Sequence, residues 1–292
     1  MMNRLSTGIP ALDDLLGGGL LPGTLCVVAG ATGIGKTQLG LQFLEAGLRQ
    51  EGRKGVILDL TARGDSQSHH DYARRMFGWE LDQVDSQQRP DFEGFFGPDR
   101  RDGDYLHAFD YRGRRVTRGD LDSDGWREWQ AELVEKLTGT IAFLYGNFVR
   151  GARRLVVDGV EPADRAADSI QLQLFEYVYH QIVRKDPDWV ARDLFRQAFR
   201  RHAAEAEKPW YDPRELACLL LYTSHETRLD ALIDRPLTEG DLQSGANTII
   251  CLGKVRSGDA MGRALYVAKH RGSACSERIV PYTIGERGLS VG

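Results

Sequence analysis

The sequence predicts an α/β fold with a mostly parallel central sheet and an antiparallel extension near its C-terminal end. Three observations carry this. Strand-like runs alternate with helix-forming runs along most of the chain, the pattern of a parallel sheet crossed by helices. Leu216 to Thr223 is a nearly continuous apolar run, as expected of a central strand buried on both faces. Arg263 to Ala268, Ile279 to Ile284 and Leu289 to Val291 then follow one another closely, like hairpin strands.

Taken in order, Leu5 to Leu16 suggests a short capped helix, and Gly17-Gly18-Gly19 with Pro22-Gly23 turns the chain into a first strand. That strand is Leu25-Cys26-Val27-Val28-Ala29, and Gln38 to Glu51 follows as a helix. Gly55 to Leu60 is a second strand. Asp71 to Val84 has helical apolar spacing at Tyr72, Met76, Phe77 and Leu81. Periodicity is lost from Asp85 to Asp104, which reads as an irregular surface insertion. Tyr105 to Phe109 is a candidate third strand. Trp126 to Leu137 and Thr140 to Val149 read as two helices with Trp126, Trp129, Leu133, Leu137 and Ile141 on one face. Arg153 to Asp158 is the next strand. A long helical region from Ala163 to Glu207 is broken near Lys185-Asp186-Pro187-Asp188. Thr248 to Leu252 completes the strands before the C-terminal set.

With 292 residues, no internal repeat and no low-complexity linker, the chain is expected to form one domain with insertions near 85–104 and 185–212. A hydrophobic share of 41% and a charged share of 27% fit a soluble globular protein. The net charge of -4 supplies no global positive field toward nucleic acid or anionic lipid. No apolar run approaches a membrane span, and no signal-peptide core follows the first residues. The four cysteines are scattered, and Cys26, Cys218 and Cys251 fall in apolar runs as small buried hydrophobes. A reduced, cytoplasmic setting is expected.

The strongest functional signal is Gly30-Ala31-Thr32-Gly33-Ile34-Gly35-Lys36-Thr37, a complete phosphate-binding loop between a strand and a helix. Its glycines let backbone N–H groups turn inward at a helix N-terminus, forming an anion cradle. Lys36 adds a mobile charge for the β- and γ-phosphates, and the Thr37 hydroxyl is a Mg²⁺ ligand candidate. The second signal is Asp158, an acid ending an apolar strand downstream of the loop, where it would hold the water shell of Mg²⁺. A weaker one is Arg192, Arg196 and Arg200, which helical spacing puts on one face. A solvated face balanced by Asp186, Asp188 and Asp193 accounts for that stripe more simply than a nucleic-acid surface does.

Four stretches together resemble the KaiC/RadA branch of the RecA-type ATPases, and single-domain KaiC-like proteins in particular. They are Ser6 to Gly19 running into the phosphate loop, Ala73 to Leu81, the strand ending in Asp158, and Arg263 to Ser273 with Pro281-Tyr282-Thr283-Ile284. The resemblance implies a three-layer RecA-like fold and a ring, commonly a hexamer, with ATP between neighbouring subunits. It adds Gln38 and Ser273 to the nucleotide-binding residues. Lys269 and Arg271, matching the family's Lys-x-Arg motif, are implied to reach the γ-phosphate held by the adjacent subunit. Cations at alternate positions past a strand point the same way, and an arginine supplied in trans stabilises charge on a transferred phosphoryl group. Thr223-Ser224 stands where the family places a polar group that senses the γ-phosphate.

One departure matters. The family usually ends its second strand in Glu or Glu-Glu, which orients the attacking water, but the matching positions here are Thr61-Ala62 followed by Arg63. Threonine is a poor proton acceptor. Asp59, Asp65, Glu161 and Glu226 are each alternatives that the sequence does not rank. Mg-ATP binding with slow turnover is therefore expected, in an oligomeric nucleotide-dependent switch. The alternatives are a nucleotide-bound scaffold for protein partners and a RadA-like DNA motor. The acidic balance disfavours the motor, although Arg112-Gly113-Arg114-Arg115 or the arginine stripe would suit a ring pore.

Overall fold

The computed structural model describes residues 4–61, 69–86, 90–109, 121–161, 169–208, 210–234, 245–272 and 274–292, apart from the side chains of 129–130 and 132–135. Its elements begin with α1 (Pro10–Leu15), β1 (Leu25–Gly30), α2 (Lys36–Gln50), β2 (Val56–Asp59) and α3 (His69–Phe77). Next come β3 (Gln83–Val84), β4 (Tyr105–His107), α4 (Ser123–Val149) and β5 (Arg154–Val160). Three helices follow: α5 (Ile170–Val178), α6 (Pro187–Phe195) and α7 (Phe199–Ala206). The chain ends with β6 (Ala217–Thr223), α8 (Leu229–Asp234), β7 (Thr248–Ser257), β8 (Ala260–His270), β9 (Val280–Gly285) and β10 (Gly288–Val291).

The described strands form a 10-stranded sheet in the order β10-β9-β8-β7-β1-β6-β5-β2-β4-β3. Strands from β7 across to β3 run parallel, and β8, β9 and β10 extend the sheet antiparallel. Alternation along β1 explains the layers. Leu25, Val27 and Ala29 face a core shared with Ile141, Phe143 and Phe148 of α4 and with Leu172, Phe175, Leu194 and Phe195 of the α5–α6 region. Cys26 and Val28 face the opposite core, filled by Leu12 and Leu16 at α1, Leu39 and Phe43 of α2, and Met76 of α3. Both faces of the centre are thus covered, which is why β1, β5 and β6 read as unbroken apolar runs. Burial holds the Cys26 and Cys218 thiols well above their usual range, as inert core groups.

Several elements differ from the sequence reading. The two helices expected between Trp126 and Val149 are one 27-residue helix, capped by the Asp122 carboxylate accepting the Gly125 N–H at 2.7 Å. The helix expected over 71–84 stops at Phe77, because Gly78 turns the chain at φ 60 and Gln83–Val84 pairs with β4 as an edge strand. The segment 85–104 is irregular, but it is not all surface. Phe95 is fully buried, and Asp102 is held beneath it by Arg100 at 2.6 Å and Arg150 at 2.8 Å. The arginine stripe is broken: α6 ends at Phe195, Arg196 sits at φ 46, and α7 restarts at Phe199. Arg192 pairs with Asp188 at 2.9 Å and lies over the Phe199 ring, so helical phase does not carry it to Arg200. Arg112 to Arg115 lie outside the described residues. No described helix is long and apolar enough to cross a membrane.

Candidate functional site

The phosphate loop leaves the C-terminal end of β1, between β6 and β7, where a parallel sheet collects its ligand groups. Gly35 opens α2 at φ 110, and a Cβ there would meet Ile284 and Leu289 side chains at 2.9 Å, so only glycine fits. The C-terminal strands therefore press on the loop directly. Tyr282 of β9 donates its hydroxyl to the Ile34 carbonyl at 2.7 Å. Gln42 of α2 exchanges two hydrogen bonds with the Leu289 backbone of β10, at 3.0 and 2.8 Å.

Lys36 is buried at the start of α2, its ammonium donating to the Gly30 and Ala31 carbonyls at 2.9 and 3.0 Å. Burial lowers its pKa to about 8, with Asp158 and Glu161 working against that fall. Thr37 donates its hydroxyl to Asp158 at 2.9 Å, so the two metal-ligand candidates converge as a hard oxygen pair. That pair, a loop of inward backbone and a mobile ammonium make a donor set that fits Mg-ATP. Gln38 is buried one residue further along α2. Beside the loop, the Ser224 N–H donates to the Gly30 carbonyl at 3.0 Å, at the end of β6.

Asp158 stands opposite Asp59 in the β5–β2 register, and Gly159 at φ 93 lets the two strand ends meet. A Cβ at Gly159 would collide with the Thr61 backbone nitrogen. Between the two acids sits His69, at the first position of α3. Its Nδ1 lies 3.3 Å from Asp59 and its Nε2 3.0 Å from Asp158. Burial opposes a charged ring, but the two carboxylates outweigh it and raise His69 to about 9. Burial likewise acts to raise Asp158, and the His69, Lys36 and Thr37 contacts reverse it, leaving the acid below its ordinary range. Asp59 also accepts from the Tyr105 hydroxyl at 2.5 Å and the Thr61 N–H at 2.8 Å. It is thus fully engaged and not an open substitute for the missing glutamate. Asp65, Ala62 and Arg63 lie outside the described residues, whereas Glu161 is placed close enough to act on Lys36. His69 escaped the sequence reading; the one available signal was a His-His pair shortly after the strand that ends in Asp59.

Lys269 and Arg271 occupy the opposite end of the sheet. Arg271 donates its N–H to the Asn247 carbonyl, and the Asn247 N–H donates to Leu25, at the first residue of β1. Five strand residues, about 16 Å, separate that level from Gly30. The distance exceeds an extended arginine, so these cations are not part of their own chain's phosphate site. Between them His270 points inward, 2.8 Å from the Thr248 hydroxyl. Ser273 lies outside the described residues. A hollow of about 470 Å³ between the 90–102 segment and α4 is lined by none of the phosphate-loop residues, Asp158, Lys269 or Arg271.

Residues 5–105 match the family described as KaiC ATPase. A circadian clock oscillator protein KaiC from Rippkaea orientalis is 35% identical over 79 residues, 27% of this chain and 14% of that protein. Another, from Parasynechococcus marenigrum, is 22% identical over 293 residues, 99% of this chain and 45% of its own length. A UPF0273 protein from Aeropyrum pernix is 34% identical over 90 residues, 30% of this chain and 34% of the relative. The chain thus spans less than half the length of each of these relatives. Among solved structures, a KaiC-like protein of the archaeon Pyrococcus horikoshii shares the fold over 100% of both chains, with a TM-score of 0.51 and 20% identity. The chain is thus similar in sequence to the KaiC ATPase family over residues 5–105, and along its whole length it has the fold of a KaiC-like protein.

Proposed function

We propose that this chain binds Mg-ATP, hydrolyses it slowly, and acts as one domain in an oligomeric, nucleotide-dependent switch. The single observation that carries the reading is the convergence of Lys36, Thr37 and Asp158 on one loop, with Thr37 and Asp158 2.9 Å apart. Backbone N–H groups from Gly33 to Thr37 would cradle the phosphates, and Lys36 would exchange its loop carbonyls for phosphate oxygens. Thr37 and Asp158 would hold Mg²⁺ directly and through its water shell. Bound there, the metal supplies Lewis-acid neutralisation of phosphate charge.

Slow turnover follows from what surrounds the reacting end. The Thr61 hydroxyl is a poor proton acceptor, and Asp59 is held by the Tyr105 hydroxyl, His69 and the Thr61 N–H, so neither offers a free base. The separation of Lys269 and Arg271 from the loop supports their service to a neighbour's nucleotide, and with it a ring of protomers. Phosphate release and assembly mass, with and without Mg-ATP, test the reading. The expected result is slow release above background, abolished by Lys36→Ala, with a mass jump on adding Mg-ATP. Release equal to that of Lys36→Ala would leave a nucleotide-bound scaffold, and absence of ATP uptake in calorimetry would end both.

A further inference from the structure

The depression at the far end of the sheet has a composition that the phosphate loop does not explain. Its volume is about 290 Å³, and its lining includes Thr24, Tyr179, Arg184, Asn247 and Arg271. Two guanidiniums thus border one hollow, and none of the described lining residues carries a carboxylate. The Asn247 side-chain oxygen is buried without a hydrogen-bond partner among the described residues. An amide turned over would present its NH₂ group at that place instead. Gly23, Gly245 and Gly272 add backbone with no side chain in the way.

Arg184 reaches the hollow by an irregular route. The helix after α5 widens into a π-turn over Tyr179–Val183, closed by the Arg184 N–H donating to the Tyr179 carbonyl at 2.9 Å. Such widened turns recur at functional sites because they re-aim side chains by one position. Here the turn presents both Tyr179 and Arg184 to the hollow. One Arg184 nitrogen donates to the Pro213 carbonyl at 2.9 Å, which steadies the side chain but neutralises nothing. Asp212, whose carboxylate feels the charge of Arg184, is already forked onto Arg214 at 3.0 and 2.7 Å.

We propose that this hollow is an anion site for the terminal phosphate of the nucleotide held by an adjacent protomer, with Arg184 as a second guanidinium beside Arg271. The inference rests on the ring reading above and deepens it. Arg184 would touch the γ-phosphate oxygens through N–H donation, stabilising charge as the phosphoryl group leaves, with no bond to the arginine made or broken.

Arg184→Gln tests this, because glutamine keeps a donor for the Pro213 carbonyl while losing the charge. In Mg-ATP-assembled protein, hydrolysis should fall tenfold or more with the melting temperature unchanged. The decisive arm mixes Arg184→Gln with Lys36→Ala in equal amounts. If Arg184 acts on a neighbour, about one interface in four joins an intact loop to an intact arginine, and about a quarter of wild-type hydrolysis returns. Recovery no greater than the sum of the two separate variants overturns the inference, as does an Arg184→Gln ring that hydrolyses normally. Wild-type protein that hydrolyses without assembling sinks the ring reading and this site together. A ring that loses activity with Arg271→Ala but not with Arg184→Gln sinks this site alone.

Discussion

The Tyr282 hydroxyl donates to the Ile34 carbonyl at 2.7 Å, joining the antiparallel extension to the middle of the phosphate loop across 248 residues of sequence. With Leu289 bonded to Gln42 and packed on Gly35, the last strands act as a brace for the anion cradle. Tyr282→Phe leaves a buried carbonyl without its partner, at a cost of about 1 kcal/mol. ATP affinity should weaken about three- to tenfold in calorimetry, since 1.4 kcal/mol corresponds to a factor of ten. A variant that melts earlier but binds ATP as before would show that the brace serves only the fold.

His69 gives the nucleotide-free protein an alkaline limit. Its folded pKa of about 9 lies above its ordinary value of 6.5, so its contribution is complete below 6.5 and is lost as pH rises through 9. Thermal melts of the Mg-free, ATP-free protein should therefore fall between pH 6.5 and 9.5. His69→Gln should be destabilised by about 3 kcal/mol at pH 7, because two buried carboxylates lose their shared partner. Its melting temperature should be nearly flat across that same alkaline window. An equal alkaline decline in both proteins would contradict this.

Thr61→Glu should restore a carboxylate at the end of the second strand. Steady-state phosphate release is expected to rise about tenfold, at the low end of what a positioned base contributes, with little change in ATP affinity. No gain in rate would mean that Glu161 or another acid already orients the water.

Arg154 is fully buried at the start of β5, forked onto Glu51 at 2.8 and 2.9 Å and donating to the Ser6 and Phe43 carbonyls at 2.6 Å each. It ties the N-terminal segment to α2 and the sheet at the end opposite the phosphate loop. Arg154→Ala leaves Glu51 and these acceptors without a partner, and urea denaturation should report a loss of about 3–5 kcal/mol. A loss under 1 kcal/mol would mean that water replaces the guanidinium freely.

Much of this was legible in advance where the signal is local. The phosphate loop, the apolar runs of β1, β5 and β6, and the late hairpin strands are set by neighbours in sequence, and the structure places them as read. Long-range relations were not legible. The sequence gives no sign of Arg154's role, since nothing near it in the chain announces acceptors on Ser6, Phe43 and Glu51. His69 gains its meaning only when β2 and β5 bring Asp59 and Asp158 into register. The arginine stripe failed because one residue, Arg196 at φ 46, resets the helical phase on which the expectation depended. Phe95 was hidden in a segment without periodicity, where burial depends on what α4 and α6 leave uncovered.

In the ring proposed above, the roughly 16 Å between the cradle at one tip of β1 and the cations at the other would give each chain a socket and a plug. In any row where plugs fill sockets, one terminal socket stays empty and one terminal plug stays idle until the row closes on itself. Under that proposal a lone chain would be folded and loaded yet nearly inert. In that arrangement output per chain should climb with the length of the row and collapse on dilution.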